Sequence, residues 1–171
     1  MPRIPIELVY MQTAYQFAQL SYAERRKVGC VIVKEHQVIS FGYNGMPHGF
    51  DNTCEETDTR YYENPDHALD LMDQGYECNN GVCHKHGAIT NPAVLHAESN
   101  AIMKVAKSTM SCVGAELYTT TCPCFGCAKL IIQAGIKMVY YTEEYRDMSG
   151  VELLETAGIE VKQVNTWNGI Q

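Results

Sequence analysis

From Glu116 to Tyr141 the chain reads ELYTTTCPCFGCAKLIIQAGIKMVYY, and the order of patterns in this stretch decides the fold. Glu116-Leu117-Tyr118-Thr119-Thr120 has the β-branched and aromatic content of a strand. Cys124 to Gln133 predicts a helix stopped near Gly135, and Lys137-Met138-Val139-Tyr140-Tyr141 predicts the next strand. A further helix from Val151 to Ala157 and a strand from Ile159 to Val164 continue the alternation. Upstream, Val94 to Lys107 reads as a helix opening near His96. Gly29-Cys30-Val31-Ile32-Val33 and Gln37-Val38-Ile39-Ser40-Phe41, separated by the polar Lys34-Glu35-His36, give a hairpin signal. Ile6 to Leu20, with Leu8, Met11, Tyr15 and Ala18 at helical spacing, predicts the first helix. Strands alternating with helices imply a layered α/β sheet with helices on both faces.

Two of these helix starts carry chemistry. Leu95-His96-Ala97-Glu98 opens one and Pro123-Cys124-Phe125-Gly126-Cys127 opens the other. One histidine and two thiolates make a three-ligand zinc site. Three protein ligands with an open fourth position is the catalytic arrangement, whereas a structural zinc is normally closed by four. Glu98, two residues beyond His96, is spaced to stand over the open corner as a general acid/base. Helix amino termini favour negative charge and so help to hold thiolates. The competing reading, core cysteines and a capping histidine, must treat His-x-Glu and Pro-Cys-x-x-Cys at two helix starts as coincidence.

With 171 residues, 46% of them apolar, and no low-complexity run, the chain supports a single domain over 1–171 with a real core. The amino-terminal MPRIPIELVYMQTAYQFAQL is interrupted by Pro2, Arg3, Pro5, Glu7, Gln12, Gln16 and Gln19, which fits a core helix better than a signal peptide or membrane span. Eight cysteines, with a CxxC accompanying a His-x-Glu and no secretory signal, point to reduced thiols, metal and a cytoplasmic location. The formal charge of −7 belongs to one segment: Asp51 to Val94 holds nine acids against Arg60 and Lys85, and the remainder balances. A neutral body with an acidic insert at about 51–94 lacks the basic footprint of a nucleic-acid binder. A small anionic substrate needs only a few local cations.

Further stretches accompany the zinc motif: Arg25-Arg26-Lys27-Val28-Gly29-Cys30-Val31-Ile32-Val33, Gly42-Tyr43-Asn44-Gly45-Met46-Pro47-His48-Gly49, Ser99-Asn100-Ala101-Ile102 and Gln133-Ala134-Gly135-Ile136-Lys137. With them the chain resembles, over nearly all its length, the deoxycytidylate (dCMP) deaminases of the zinc-dependent cytidine deaminase superfamily. The GYNGMPHG stretch is what resembles that nucleotide-regulated branch, since general cytidine deaminases and transfer-RNA adenosine deaminases share only the zinc motif. The resemblance implies a three-layer αβα sandwich on a five-stranded mixed sheet, and hydrolysis of dCMP to dUMP and ammonia. It implies catalytic Zn2+ on His96, Cys124 and Cys127, with Glu98 moving protons to cytosine N3 and to the departing amino group. It places the Ala97 amide at cytosine O2, the backbone near Thr121 and Cys122 at the exocyclic amine, Asn44 at the sugar and Tyr145 on the pyrimidine. It also implies a homo-oligomer, a hexamer in relatives. Gly42, Tyr43, Asn44, Gly45, Met46 and Gly49 would there bind dCTP with Mg2+ as activator and dTTP as inhibitor.

Several of these residues have a plainer reading. Arg25, Arg26 and Lys27 suit either a 5′-phosphate or a solvated basic face. Tyr145 either stacks on the base or packs, as one of eleven tyrosines. Phe125 walls the pocket or joins the core. GYNGMPHG is a tight turn or a triphosphate loop. In the insert, Cys54, Cys78, Cys83, His84 and His86 are candidates for a second, structural zinc, because a Cys-rich loop without its own apolar core gains order from metal. Relatives with such a site tend to supply a cysteine just before Arg-x-x-Val-Gly, where this chain has Ala23, so the site is either rebuilt from the insert or missing. Three functions stay open: a free-nucleotide deaminase, a deaminase of another pyrimidine or of nucleic acid, and a non-catalytic zinc- or nucleotide-binding module. Glu98 argues against the last.

Overall fold

A computed structural model describes residues 3–165. The chain forms α1 (Ile6–Ala18), β1 (Gly29–Lys34), β2 (Gln37–Tyr43), β3 (Glu55–Tyr61), α2 (Pro65–Asp73), β4 (Glu77–Asn79) and β5 (Val82–Thr90). There follow α3 (Ala97–Ala106), β6 (Glu116–Thr121), α4 (Phe125–Gln133), β7 (Met138–Glu143), α5 (Ser149–Thr156) and β8 (Glu160–Gln163). These elements divide between two compact units. Of the described residues, one comprises 3–21, Lys27–Gly45 and 95–165; the other comprises Tyr22–Arg26 and Met46–Val94.

The first unit is built on a five-stranded sheet in the order β2-β1-β6-β7-β8. β1 is antiparallel to both β2 and β6, while β6, β7 and β8 run parallel, so the sheet is mixed. Side-chain alternation sorts its two faces. Cys30, Ile32, Leu117 and Val139 pack with Ala101 of α3, Ile131 of α4 and Leu154 of α5. Val31, Val33, Tyr118 and Tyr140, one position out of step, pack with Tyr10, Met11 and Ala14 of α1. Covered on both faces, β1 is apolar at nearly every position, which is why its run was readable without alternation. All the elements expected of this unit form, with shifted ends: α1 stops at Ala18, and β2 runs on to Tyr43. The β1–β2 turn is Glu35-His36 alone, because Lys34 pairs with Gln37. Both turn residues have positive φ, 50° and 63°, as a two-residue hairpin of matching twist demands, and Tyr10 Oη donates to the His36 carbonyl at 3.0 Å.

The second unit corrects the picture of a coreless loop. It is an antiparallel sheet, β3-β5-β4, with α2 and a small core of Leu71, Tyr76 and Cys83. Asn64 caps α2, its Oδ1 accepting from His67 N at 2.8 Å, with Pro65 in the first turn. Asn80-Gly81, at φ 48° and 83°, turns β4 into β5 and sets Cys78 opposite Cys83, where the two form a disulfide. The expectation of wholly reduced thiols therefore fails at this pair, for a reason of hairpin register; the other six cysteines form no disulfide. Among the described residues no helix is long and apolar enough to cross a membrane.

Candidate active site

His96 and Cys124 are the N-cap residues of α3 and α4, and Cys127 lies in the first turn of α4. Neither N-cap side chain makes a capping hydrogen bond. They face each other instead. His96 Nδ1 lies 3.4 Å from Cys124 Sγ and 3.5 Å from Cys127 Sγ. Around a tetrahedral zinc with Zn–N near 2.05 Å and Zn–S near 2.3 Å, the N···S edge is about 3.6 Å. The donor set therefore fits zinc, with His96 ligating through Nδ1. Among the described residues this is the one cluster of three or more His, Cys, Asp or Glu side chains able to hold a metal ion.

The electrostatics of the cluster call for a cation. Hydrogen bonds from the Cys127 thiol and the His96 ring hold the Cys124 thiol down to about 3. The same bond to Cys124, reinforced by burial, pushes Cys127 up and keeps its proton in place. A positive ion joining them would favour both thiols as thiolates together. Glu98 is 3% exposed, with Oε2 3.6 Å from Cys127 Sγ. Burial pushes its carboxyl up to about 7, with its own backbone hydrogen bond and His96 opposing. A near-neutral value suits a group that must both take and give a proton.

The body of α3 is clamped to β2. Ser40 Oγ donates to Ala101 O at 2.8 Å, Asn100 Nδ2 to Tyr43 O at 2.9 Å and Lys104 Nζ to Phe41 O at 3.0 Å. Gly42 allows the helix to come this close, since a Cβ there would run into Ala97 O and lie 2.7 Å from Ala101 N. Gly45 and Leu95 exchange backbone hydrogen bonds at 3.1 and 2.9 Å, fixing the residue just before His96. The Gly42–Gly45 stretch thus supports the metal site, and packing alone accounts for the glycine at 42. At Gly45 neither positive φ nor crowding demands glycine, as a Cβ there would meet nothing within 4 Å.

Other residues to which the sequence points are divided between the two units. Asn44 is a backbone latch, its Oδ1 accepting from Val28 N at 2.8 Å and its carbonyl from Ser21 Oγ at 2.7 Å. Ala97 is fully buried as the first residue of α3. Tyr145 is 41% exposed, and its amide donates to Cys122 Sγ at 3.0 Å. Phe125 is exposed, which removes the core reading. Met46 and Gly49 belong to the second unit, Gly49 at φ 92° within the Pro47–Phe50 turn. Arg25 and Arg26 are exposed residues of that unit; Arg25 donates through N to Glu55 Oε1 and through Nη1 to Thr90 Oγ1. The proposed second zinc ligands are not brought together. Cys78 and Cys83 are bonded to each other, His84 and His86 share Nδ1 hydrogen bonds with Thr59 and Thr57, and Cys54 is a free buried thiol. Sequence reasoning missed the Cys122 side chain and the β2–α3 clamp; Asn100 and Lys104, one helical turn apart on α3, were the available signal for the latter.

Residues 6–143 match the family described as the cytidine and deoxycytidylate deaminase zinc-binding region. The chain is 37% identical over 169 residues to the deoxycytidylate deaminase of Enterobacteria phage T4, a match covering 90% of this chain and 87% of that one. It is 35% identical over 165 residues to ComE operon protein 2 of Bacillus subtilis (strain 168), covering 96% and 74% respectively. Its fold is similar to the crystal structure of the dCMP deaminase from cyanophage S-TIM5 in complex with dCMP and dUMP. There the TM-score is 0.73 at 38% identity, over 96% of this chain and 100% of that one.

Proposed function

The chain belongs to the cytidine and deoxycytidylate deaminase family, and from that premise we propose that it is a zinc-dependent hydrolase converting dCMP to dUMP and ammonia. The observation that carries the proposal is the His96-Cys124-Cys127 donor set with the buried Glu98 carboxyl beside it. The choice of nucleotide is supported by the phage T4 relative and by the S-TIM5 enzyme, whose structure holds dCMP and dUMP.

Zinc, when held by these three residues, supplies the Lewis acidity that makes water a nucleophile near neutral pH. Glu98 accepts one proton from that water and passes it to cytosine N3, which makes C4 electrophilic. As the C4–O bond forms and the C4–N bond breaks, Glu98 carries the second water proton to the amino group, which departs as ammonia. A carboxyl balanced near neutrality can perform both transfers. Ala97 N–H, at the first position of α3, has no intrahelical acceptor and is suited to donate to cytosine O2.

The finer assignments rest on the sequence. The basic run supplies at least one of Arg25 and Arg26 to the 5′-phosphate, and the resemblance gives Asn44 to the sugar and Tyr145 to the base. dCTP with Mg2+ activates and dTTP inhibits a homo-oligomeric, hexameric enzyme through the segment from Gly42 to Gly49. A second zinc is left out, because two of its candidate ligands are consumed by the Cys78–Cys83 bond.

The test is ammonia release from dCMP, deoxycytidine, cytidine and an oligonucleotide, with zinc quantified and with dCTP or dTTP added. dCMP should be preferred; Glu98→Ala should keep zinc and lose at least ~100-fold in turnover, and His96→Ala should lose both. Preference for a nucleoside or oligonucleotide would replace the substrate assignment. Rates indifferent to both triphosphates, with no binding by calorimetry, would remove the regulation.

A further inference from the structure

Gly150, in the first turn of α5, is buried. A Cβ there would run into the carbonyl oxygen of Pro123 and lie 2.7 Å from Cys124 C and 2.9 Å from Cys124 O. All three are backbone atoms, so no side chain can swing aside to make room. Glycine is a poor helix former, and its place inside a first turn asks for a reason. The close approach supplies one. The Cys124 carbonyl that lies against Gly150 also accepts the Ala128 N–H at 2.9 Å, closing the first turn of α4, which carries Cys127. One point of contact thus bears on the residue that provides one thiolate and on the turn that provides the other. The start of α5 is held to the same loop beside this point: Cys122 and Val151 share a buried cluster with Met148 packed on it, and Cys122 Sγ is 3.7 Å from Met148 Sδ.

We propose that Gly150 is a positioning residue for the metal centre: the first turn of α5, free of a side chain there, seats the Pro123–Cys124 backbone and so directs the Cys124 thiolate toward His96 and Cys127. The proposal rests on the reading of these three residues as zinc ligands. Asp147 gives independent access to it. This exposed residue accepts the Ser149 N–H through Oδ1 at 3.0 Å and fixes the same turn without being a metal ligand.

The experiment uses the zinc-loaded protein and reads zinc release to a chromophoric chelator, with the visible bands of the cobalt-substituted protein as a report of ligand geometry. Gly150→Ala should weaken zinc binding about 10–100-fold and alter the thiolate-to-cobalt bands. Gly135→Ala, strained at φ 74° and crowded by Val113 beyond the far end of α4, should lower thermal stability yet leave zinc release and the bands as in wild type. Asp147→Ala should speed zinc release several-fold, and Asp147→Asn, whose amide oxygen can accept the same Ser149 N–H, should not. This second pair decides the matter if Gly150→Ala does not fold. Unchanged zinc release and bands in Gly150→Ala, equal changes in Gly135→Ala, or an Asp147→Ala protein that holds zinc as wild type does would overturn the proposal. A wild-type protein that takes up no zinc would instead overturn the metal reading beneath it.

Discussion

Replacing Glu98 by glutamine should remove the pH dependence that this carboxyl gives to the metal-free protein. Burial lifts it from 4.5 to about 7. Between those values the folded chain keeps a proton that the unfolded chain has released, so the carboxyl makes stability fall as pH rises. The effect is absent below the unfolded value, grows through the window and is complete above pH 7. A displacement of ~2.5 pH units corresponds to about 3 kcal/mol. The amide of Glu98→Gln does not titrate, so zinc-free variant and zinc-free wild type should be close in stability at pH 4.5 and differ by about 3 kcal/mol in the variant's favour at pH 8. With m near 1–3 kcal/mol/M, the urea midpoints then separate by about 1–3 M. Cys124 acts in the opposite direction, because its depressed thiol adds stability as pH rises above about 3 toward the ordinary thiol value. That contribution is present in both proteins, apart from the part that the Cys124 charge exerts on Glu98 itself. Urea unfolding followed by circular dichroism in chelator, at pH 4.5, 6 and 8, is the assay. Parallel pH profiles would refute the account of Glu98 as a carboxyl kept neutral by burial. Zinc should narrow the gap at pH 8, since a cation beside the site favours the carboxylate.

Gly42→Ala should cost about 1–3 kcal/mol through overpacking and reduce zinc retention, because the atom in the way is the Ala97 carbonyl, next to His96; calorimetry and metal analysis check both. Thiol titration of the unfolded, metal-stripped chain should find six reactive cysteines before reduction and eight after it. Cys78→Ser should lower stability by about 2 kcal/mol, as expected for so short a closed loop, and eight thiols without reduction would refute the pairing. Neutral replacement of Arg25 or Arg26 should raise KM for dCMP and bring its kcat/KM toward that of deoxycytidine, each lost charge-assisted bond being worth ~1.5–3 kcal/mol. A wild-type enzyme that prefers deoxycytidine would refute the phosphate role.

What could be read from sequence follows from where each element's information lies. β1, β6 and β7 are buried along most of their length and rich in β-branched and aromatic residues, so their identity is local to their own residues. β3, Glu-Glu-Thr-Asp-Thr-Arg-Tyr, is mostly exposed and has no apolar period, and it becomes a strand only through its pairing with β5. The legible signals of that unit were Asn64-Pro65 at a helix start and Asn80-Gly81 at a hairpin, and a metal reading of the nearby cysteines and histidines obscured them. In the site, the ligands were legible because zinc chemistry restricts residue type and spacing together. The requirements at Gly42 and Gly150 were not, because each is imposed by backbone atoms of another segment: Ala97 O for one, Pro123 O and the Cys124 carbonyl for the other. The same distinction separates the two parts of Glu98's role. Its position two residues past His96 marks it as the proton carrier. The value that lets it carry protons both ways comes from burial at the start of α3, a product of the β2–α3 packing that Gly42 permits. On the proposed reading, catalytic identity in this chain is therefore written in the ligand motif, while the close packing behind the ligands rests on glycines that the motif does not contain.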